Sequence, residues 1–147
     1  MANNDKVHSI ASAVLTLYFM LADVHYLALK KRRWDIHKLA DKIRKDLITG
    51  WLDDMQEVHA IPVGGAWYGG KDLLSSAAKL SLDKPADLNS GLDACAELMV
   101  VILGLIDKVD KPKGTDNLLS GFAQELQQYL GWIGETSKEE TKKNEQR

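Results

Sequence analysis

The stretch Val24–Glu57 reads VHYLALKKRRWDIHKLADKIRKDLITGWLDDMQE and carries most of the functional information in this chain. Its side chains with metal-binding chemistry are His25, His37, Asp41, Asp53 and Glu57. Asp41 follows His37 by four residues, which is about one helical turn, so the two side chains share one side of a helix. Imidazole and carboxylate together form a ligand set that suits iron, zinc or manganese. The stretch therefore predicts a transition-metal site built on helices.

Apolar residues recur with a helical period on both sides of this stretch. They predict four long helices at about residues 5–31, 36–59, 86–109 and 117–134, and a short helix at 71–82. The three prolines, at positions 62, 85 and 112, all fall between these segments, where a helix has to end. One long crossover between the second and third of four helices is the topology of ferritin-like bundles. We therefore predict an all-α, ferritin-like four-helix bundle whose crossover carries a short extra helix.

The end of the chain differs in composition from the rest. The last residues read ETSKEETKKNEQR and offer charged groups without an apolar face. Because such a segment has no apolar stripe to bury, we predict a charged, disordered tail at 137–147. Residues 1–136 show no internal repeat and no second linker, and this indicates one domain.

The composition narrows the class of protein. The chain has 147 residues, of which 45% are hydrophobic, so it can build a core without disulfides. Its single cysteine, Cys95, favours a reducing compartment. The amino terminus lacks signal-peptide organisation, and the longest apolar run, residues 98–106, is shorter than the roughly 20 residues that span a bilayer. We expect a cytoplasmic protein that does not enter the membrane.

Basic residues are frequent around the predicted corner between the first two helices. They are Lys30, Lys31, Arg32, Arg33, Lys38, Lys42, Arg44 and Lys45. Contacts to DNA phosphates are one interpretation of this cluster. However, Asp35, Asp41 and Asp46 interrupt it, and the net charge of the chain is −2. A solvated charged surface is therefore favoured over a DNA site, and DNA stays a weakly supported partner.

Several of these features together resemble the Dps mini-ferritins, the starvation DNA-protection branch of the ferritin-like superfamily. The resemblance rests on three features: the twelve-residue spacing from His25 to His37, the Gly64-Gly65 link before the short helix, and the closing sequence TDNLLSGFAQELQQYLGWI. The resemblance covers about residues 8–135. It implies a homo-oligomeric shell, usually dodecameric, that oxidises iron and stores it as a mineral.

The resemblance also implies how the iron site is shared. His25, His37 and Asp41 would come from one subunit, and an Asp-x-x-x-Glu pair on the second helix would come from its neighbour. Asp53 and Glu57 fit that pattern in this chain. Classical ferritins instead carry a Glu-x-x-His pair on each of two helices, and that spacing is absent here. An iron centre within one subunit is therefore not expected.

One departure from the family concerns the register of the second pair. The family places its second aspartate eleven residues after the first, which keeps the two within about 20° on a helix. Asp53 is twelve residues after Asp41, so a regular helix would turn it about 120° away, and Leu52 occupies the expected position. A one-residue π-bulge near Gly50, where the apolar stripe also slips, would restore the phase. The alternative is that this half of the site is lost.

Two functions correspond to these alternatives. With the site intact, the chain is a Dps-like ferroxidase that oxidises and sequesters iron and protects against oxidative damage. With the site decayed, it is a non-catalytic structural or assembly protein on the same bundle. Trp34 and Trp51 are interpreted as packing residues in preference to redox-active aromatics, and His8 and His59 as structural or exposed residues.

Overall fold

The computed structural model describes residues 3–79, 84–110 and 112–145 of the chain. Its helices are α1 (Asn3–Lys30), α2 (Trp34–Asp46), α3 (Gly70–Ala78), α4 (Leu88–Asp107) and α5 (Lys113–Glu145). Two π-helical turns, Leu47–Leu52 and Met55–Ala60, continue α2 without a break in helical backbone. The described residues contain no strand, so the prediction of an all-α fold is confirmed. Residues 80–82 of the predicted short helix lie outside the described part.

The directions of the four long helices follow from contacts between their ends. Lys6 Nζ near the start of α1 donates to the Lys108 carbonyl oxygen, just past the end of α4, at 3.0 Å. Asn89 near the start of α4 donates to Thr141 near the end of α5 at 2.7 Å. A three-residue turn joins α1 to α2. Therefore α1 and α5 run one way and α2 and α4 run the other, which makes a long connection between α2 and α4 necessary.

Each long helix buries one apolar stripe in a common core. Completely buried members from the four helices include Leu17, Ile43, Met99 and Phe122. Helices α4 and α1 lie close together at Gly91, where an added Cβ would lie 2.8 Å from Val24 Cγ2 and 3.1 Å from Pro85 Cβ. Any residue larger than glycine would force these neighbours to shift.

The crossover packs against α1 through its short helix. Leu73 and Ala77 of α3 are buried, and Thr16 Oγ1 of α1 lies 3.3 Å from the Ala77 carbonyl oxygen. Before α3, the Gln56 amide makes two hydrogen bonds to the backbone of Tyr68, at 2.9 and 2.7 Å. These bonds fix the irregular connection at both ends.

The prediction of a disordered tail from residue 137 is wrong for residues 137–145, because α5 continues as helix through Glu145. Glu140 is only 6% exposed and forms an ion pair with Arg33. Ser137 donates to the Asn89 side chain at 3.2 Å. An apolar period cannot reveal this packing, because polar side chains make the contacts. Gln146 and Arg147 lie outside the described residues.

Two helices are long and apolar enough to cross a membrane, Lys6–Lys30 and Leu88–Asp107. This criterion uses length and composition alone, and a core helix of a soluble protein also meets it. The first of the two has 61% of its apolar window buried inside the protein.

Candidate metal centre

Two imidazole rings stack on each other where α1 and α2 meet. His25 lies near the end of α1 and His37 in the first turn of α2, and their ring centroids are 3.7 Å apart with planes 18° from parallel. His25 Nδ1 is 3.1 Å from the His37 carbonyl oxygen, and His37 Nδ1 is 3.0 Å from the His25 carbonyl oxygen. Each ring is therefore bonded to the backbone of the other residue.

These reciprocal bonds fix the tautomer of both rings. A carbonyl oxygen can only accept a hydrogen bond, so each Nδ1 must carry the proton. In the neutral ring the other nitrogen, Nε2, then has its lone pair free. No hydrogen bond to either Nε2 occurs within the described residues. Histidines that bind metal are commonly held in this way, with the second ring nitrogen donating to a carbonyl or carboxylate.

Two aromatic side chains contact the imidazole pair. The Trp34 ring meets His37 edge-on with centroids 5.8 Å apart, and the Tyr26 ring meets His25 at 5.3 Å. Trp34 is 55% exposed and Tyr26 is 59% exposed, whereas His25 is only 9% exposed. The pair thus lies just below a surface rich in exposed aromatic groups. Trp34, interpreted from the sequence as a helix packing residue, contacts His37 but leaves more than half of its surface exposed.

Asp41 is on the same helix as His37 but is engaged with cations. Its carboxylate makes ion pairs with Arg44 at 2.7 Å and with Lys45 at 2.8 Å. Hydrogen bonds from Lys45 and Arg44 lower the pKa of Asp41 to about 2, so it is an anion at neutral pH. The predicted convergence of His37 and Asp41 on one ion is not formed in the described structure. Asp41 would first have to release these partners.

The acidic pair Asp53 and Glu57 follows the first π-helical turn, on the continuation of α2. Of the two alternatives that the sequence left open near Gly50, the structure shows the π-bulge, because Leu47–Leu52 is π-helical. One inserted residue turns Asp53 back to about 20° from Asp41, although the two stay about 18 Å apart along the axis. Asp53 and Glu57 are both exposed. The described residues contain no group of three or more His, Cys, Asp and Glu side chains that could hold a metal ion. The described structure thus keeps Asp53 and Glu57 apart from the imidazole pair.

A second polar cluster, which the sequence did not reveal, joins α2 to α5. The Trp51 ring nitrogen donates to Glu125, and Tyr129 Oη lies 3.0 Å from Glu125 Oε2 and 3.3 Å from Asp46 Oδ2. Burial, together with the Glu125 and Asp46 carboxylates, raises the pKa of Tyr129 above its usual value. Trp51 also stacks on Phe122 with centroids 5.0 Å apart, which supports its interpretation as a packing residue. The only sequence signal was the one-turn spacing of Glu125 and Tyr129.

The other two histidines have structural surroundings. The His8 ring lies edge-on to Tyr68 at 5.0 Å. His59 in the second π-helical turn is completely buried, and its Nδ1 is 2.9 Å from Thr115 Oγ1 at the start of α5. Its Nε2 has no hydrogen-bond partner among the described residues, and burial lowers the pKa of the ring. Cys95 is likewise buried, and burial raises its pKa to about 12, so it is a thiol at neutral pH.

Comparisons of this chain with protein-family models, with curated proteins and with solved structures gave no match. Any assignment of function therefore rests on the geometry of the described residues.

Proposed function

We propose that this chain is a Dps-like mini-ferritin of the cytoplasm, which binds Fe(II), oxidises it and sequesters the iron in a homo-oligomeric shell. One observation carries the proposal. His25 and His37 hold each other with Nδ1 protonated, which leaves two Nε2 lone pairs on adjacent rings for a metal. In this tautomer each ring can bind a first-row metal ion through Nε2, and the two nearly parallel rings would turn toward each other to bind the same ion.

The arrangement of the helices supports the same proposal. Helices α1 and α5 run opposite to α2 and α4, and α3 lies in the long connection. Ferritin-like bundles have one long crossover of this kind. The match concerns topology, so the chemistry of the proposal still rests on the imidazole pair.

A second copy of the chain would complete the site. The exposed stripe of α2 and its continuation is basic first, with Lys38, Lys42 and Lys45, and acidic later, with Asp53 and Glu57. Two such helices packed antiparallel would set the basic part of each against the acidic part of the other. A two-fold axis at the level of Leu47 would then bring Asp53 and Glu57 of one copy beside the imidazole pair of the other.

Iron is the substrate of the proposed reaction, and hydrogen peroxide or oxygen is the oxidant. With hydrogen peroxide, two Fe(II) ions lose one electron each, and one hydrogen peroxide takes up these two electrons and two protons to give two water molecules. Neutral imidazole binds Fe(II), while the Asp53 and Glu57 carboxylates favour the Fe(III) product because they are anionic oxygen ligands.

The test is anaerobic addition of Fe(II) followed by hydrogen peroxide or oxygen, with the ferric absorbance recorded over time. We expect oxidation faster than in buffer, and loss of that difference in the double variant His25→Ala with His37→Ala. The matched control is His8→Ala, which removes an imidazole from the other end of α1 and should oxidise iron like the wild type. Oxidation at the buffer rate by the wild-type protein would contradict the proposal.

The acidic pair is tested separately. The double variant Asp53→Asn with Glu57→Gln keeps the imidazoles, so Fe(II) should still bind while its oxidation slows by at least about tenfold. Asp72→Asn, which removes an exposed carboxylate on α3, is the control. If the double variant oxidised iron at the wild-type rate, the site would not be shared between copies.

A second candidate is a non-catalytic assembly protein with a decayed metal site. The observation in its favour is that Asp41 is occupied by Arg44 and Lys45. Solution mass together with metal analysis separates the two functions. A large shell that retains iron supports the mini-ferritin, and a metal-free oligomer supports the assembly protein. DNA remains the weaker partner, and binding to it would appear as retarded DNA mobility that disappears with added salt.

A further inference from the structure

The last turns of α5 contact α4 and, through Glu140, the corner between α1 and α2. Glu140 is 6% exposed, and its carboxylate pairs with Arg33, whose side chain is 12% exposed. A second anchor lies beside it, where Asn89 bonds to Ser137 at 3.2 Å and to Thr141 at 2.7 Å. The end of α5 is therefore attached both to α4 and to the corner.

The ion pair makes this attachment specific. A buried carboxylate without a partner is strongly unfavourable, so Glu140 can stay in this position only with Arg33 beside it. The Arg33 guanidinium also donates two hydrogen bonds to the Asp35 carboxylate, at 3.2 and 3.1 Å. With carboxylates on both sides, the planar guanidinium group has little freedom to turn.

The backbone of Arg33 connects this ion pair to the imidazoles. Its N–H donates to the Ala28 carbonyl oxygen at 2.8 Å, and its own carbonyl oxygen accepts from the His37 N–H at 3.0 Å. The residue before it, Arg32, has a φ of 57°, in the left-handed region where non-glycine residues are uncommon. Arg33 thus links the end of α1, which carries His25, to the first turn of α2, which carries His37.

We infer that Glu140 is a positioning residue for the imidazole pair, acting through Arg33. Its carboxylate fixes the guanidinium, the Arg33 backbone fixes the corner, and the corner sets the reciprocal Nδ1–H···O bonds between His25 and His37. For its iron readout this inference rests on the function proposed above. Its structural readout, the exchange of the two Nδ1 protons with solvent, does not.

The experiment measures both readouts in the full-length protein. In the wild type, NMR should show slowly exchanging Nδ1 protons on His25 and His37. In Glu140→Ala these protons should exchange at least about tenfold faster. Fe(II) affinity should fall about tenfold, as it does when residues that orient metal ligands are mutated in other proteins. Glu139→Ala removes the neighbouring, exposed carboxylate and should leave both readouts unchanged.

Two further variants separate positioning from folding. Glu140→Gln keeps the shape and one hydrogen-bond acceptor, so it should lie between the wild type and Glu140→Ala. The double variant Arg33→Met with Glu140→Leu replaces the ion pair by an apolar contact and should recover slow exchange, because such replacements preserve packing. If Glu140→Ala and Glu140→Gln both exchange their Nδ1 protons like the wild type, the inference is wrong. A wild type that exchanges slowly but binds no Fe(II) would instead contradict the proposed function.

Discussion

The imidazoles of His25 and His37, at the α1–α2 corner, differ from the imidazole of His59, which packs against the start of α5. The difference lies in the surroundings of Nε2, the ring nitrogen that makes no hydrogen bond in the described structure. In the corner pair, both Nδ1 atoms bond to backbone and the rings lie just below the surface. In His59, one nitrogen bonds to Thr115 and the other is buried without a partner. The same side chain is thus available as a metal ligand in one place and packed as a core residue in the other. Access to the free nitrogen, rather than the residue type, makes the difference.

The largest expected effect on stability concerns the packing beside His25. Gly91→Ala introduces a Cβ 2.8 Å from Val24 Cγ2, so the Val24 side chain or its helix has to shift at the residue before His25. We expect the free energy of unfolding to fall by about 1–3 kcal/mol, as in other overpacked cores. Urea unfolding measures it. Gly104→Ala on the same helix meets nothing within 4 Å and should raise stability by about 0.5–1 kcal/mol. Equal effects of the two substitutions would contradict the close approach.

The next largest effect is on the pH dependence of the free energy of unfolding, and it comes from His59. Burial lowers the pKa of His59, so between pH 6.5 and that lowered value the unfolded chain takes up a proton that the folded chain excludes. The free energy of unfolding that depends on neutral His59 is therefore fully present above about pH 6.5. It decreases below that pH, by at most about 1.4 kcal/mol per pH unit. His59→Gln should flatten this part of the profile in urea unfolding at several pH values. His8→Gln is the control and should keep it. An unchanged profile in His59→Gln would place the pH dependence elsewhere.

The smallest effect on stability belongs to Asp41, whose ion pairs are partly exposed to solvent and contribute little. Lys45 and Arg44 lower the pKa of Asp41 to about 2, so the stability that these pairs add is present above about pH 3.8 and is lost as the pH falls toward 2. Asp41→Asn should change the free energy of unfolding by less than about 0.5 kcal/mol. Its effect on iron oxidation is the sharper measurement. A tenfold slower rate means that Asp41 leaves its cations for iron, and an unchanged rate means that the ion pairs are its only role.

The sequence was sufficient for features that depend on periodicity. The apolar stripes predicted the four long helices and the short one in the crossover, and the slip near Gly50 favoured the π-bulge that the structure has at Leu47–Leu52. The second π-helical turn, Met55–Ala60, had no such signal. Periodicity also failed at the end of α5, because Glu140 and Ser137 make polar contacts that depend on residues distant in the chain.

For the candidate site, spacing identified the residues but not their partners. The twelve-residue step brought His25 and His37 together as expected, since it spans one antiparallel corner. The one-turn spacing of His37 and Asp41 did not bring those two together, because Arg44 and Lys45 lie at equally close helical spacing and carry the opposite charge. Local spacing determines which contacts are within reach, and charge decides among them.

The proposed function requires that the corner pair, and not His59, binds iron. Anaerobic calorimetric titration with Fe(II) tests this requirement in the wild type, in His25→Ala with His37→Ala, and in His59→Gln. We expect saturable binding in the wild type and in His59→Gln, and an affinity at least about a hundredfold lower in the corner variant. Equal binding of Fe(II) by the corner variant and the wild type would show that the imidazole pair is not the iron site.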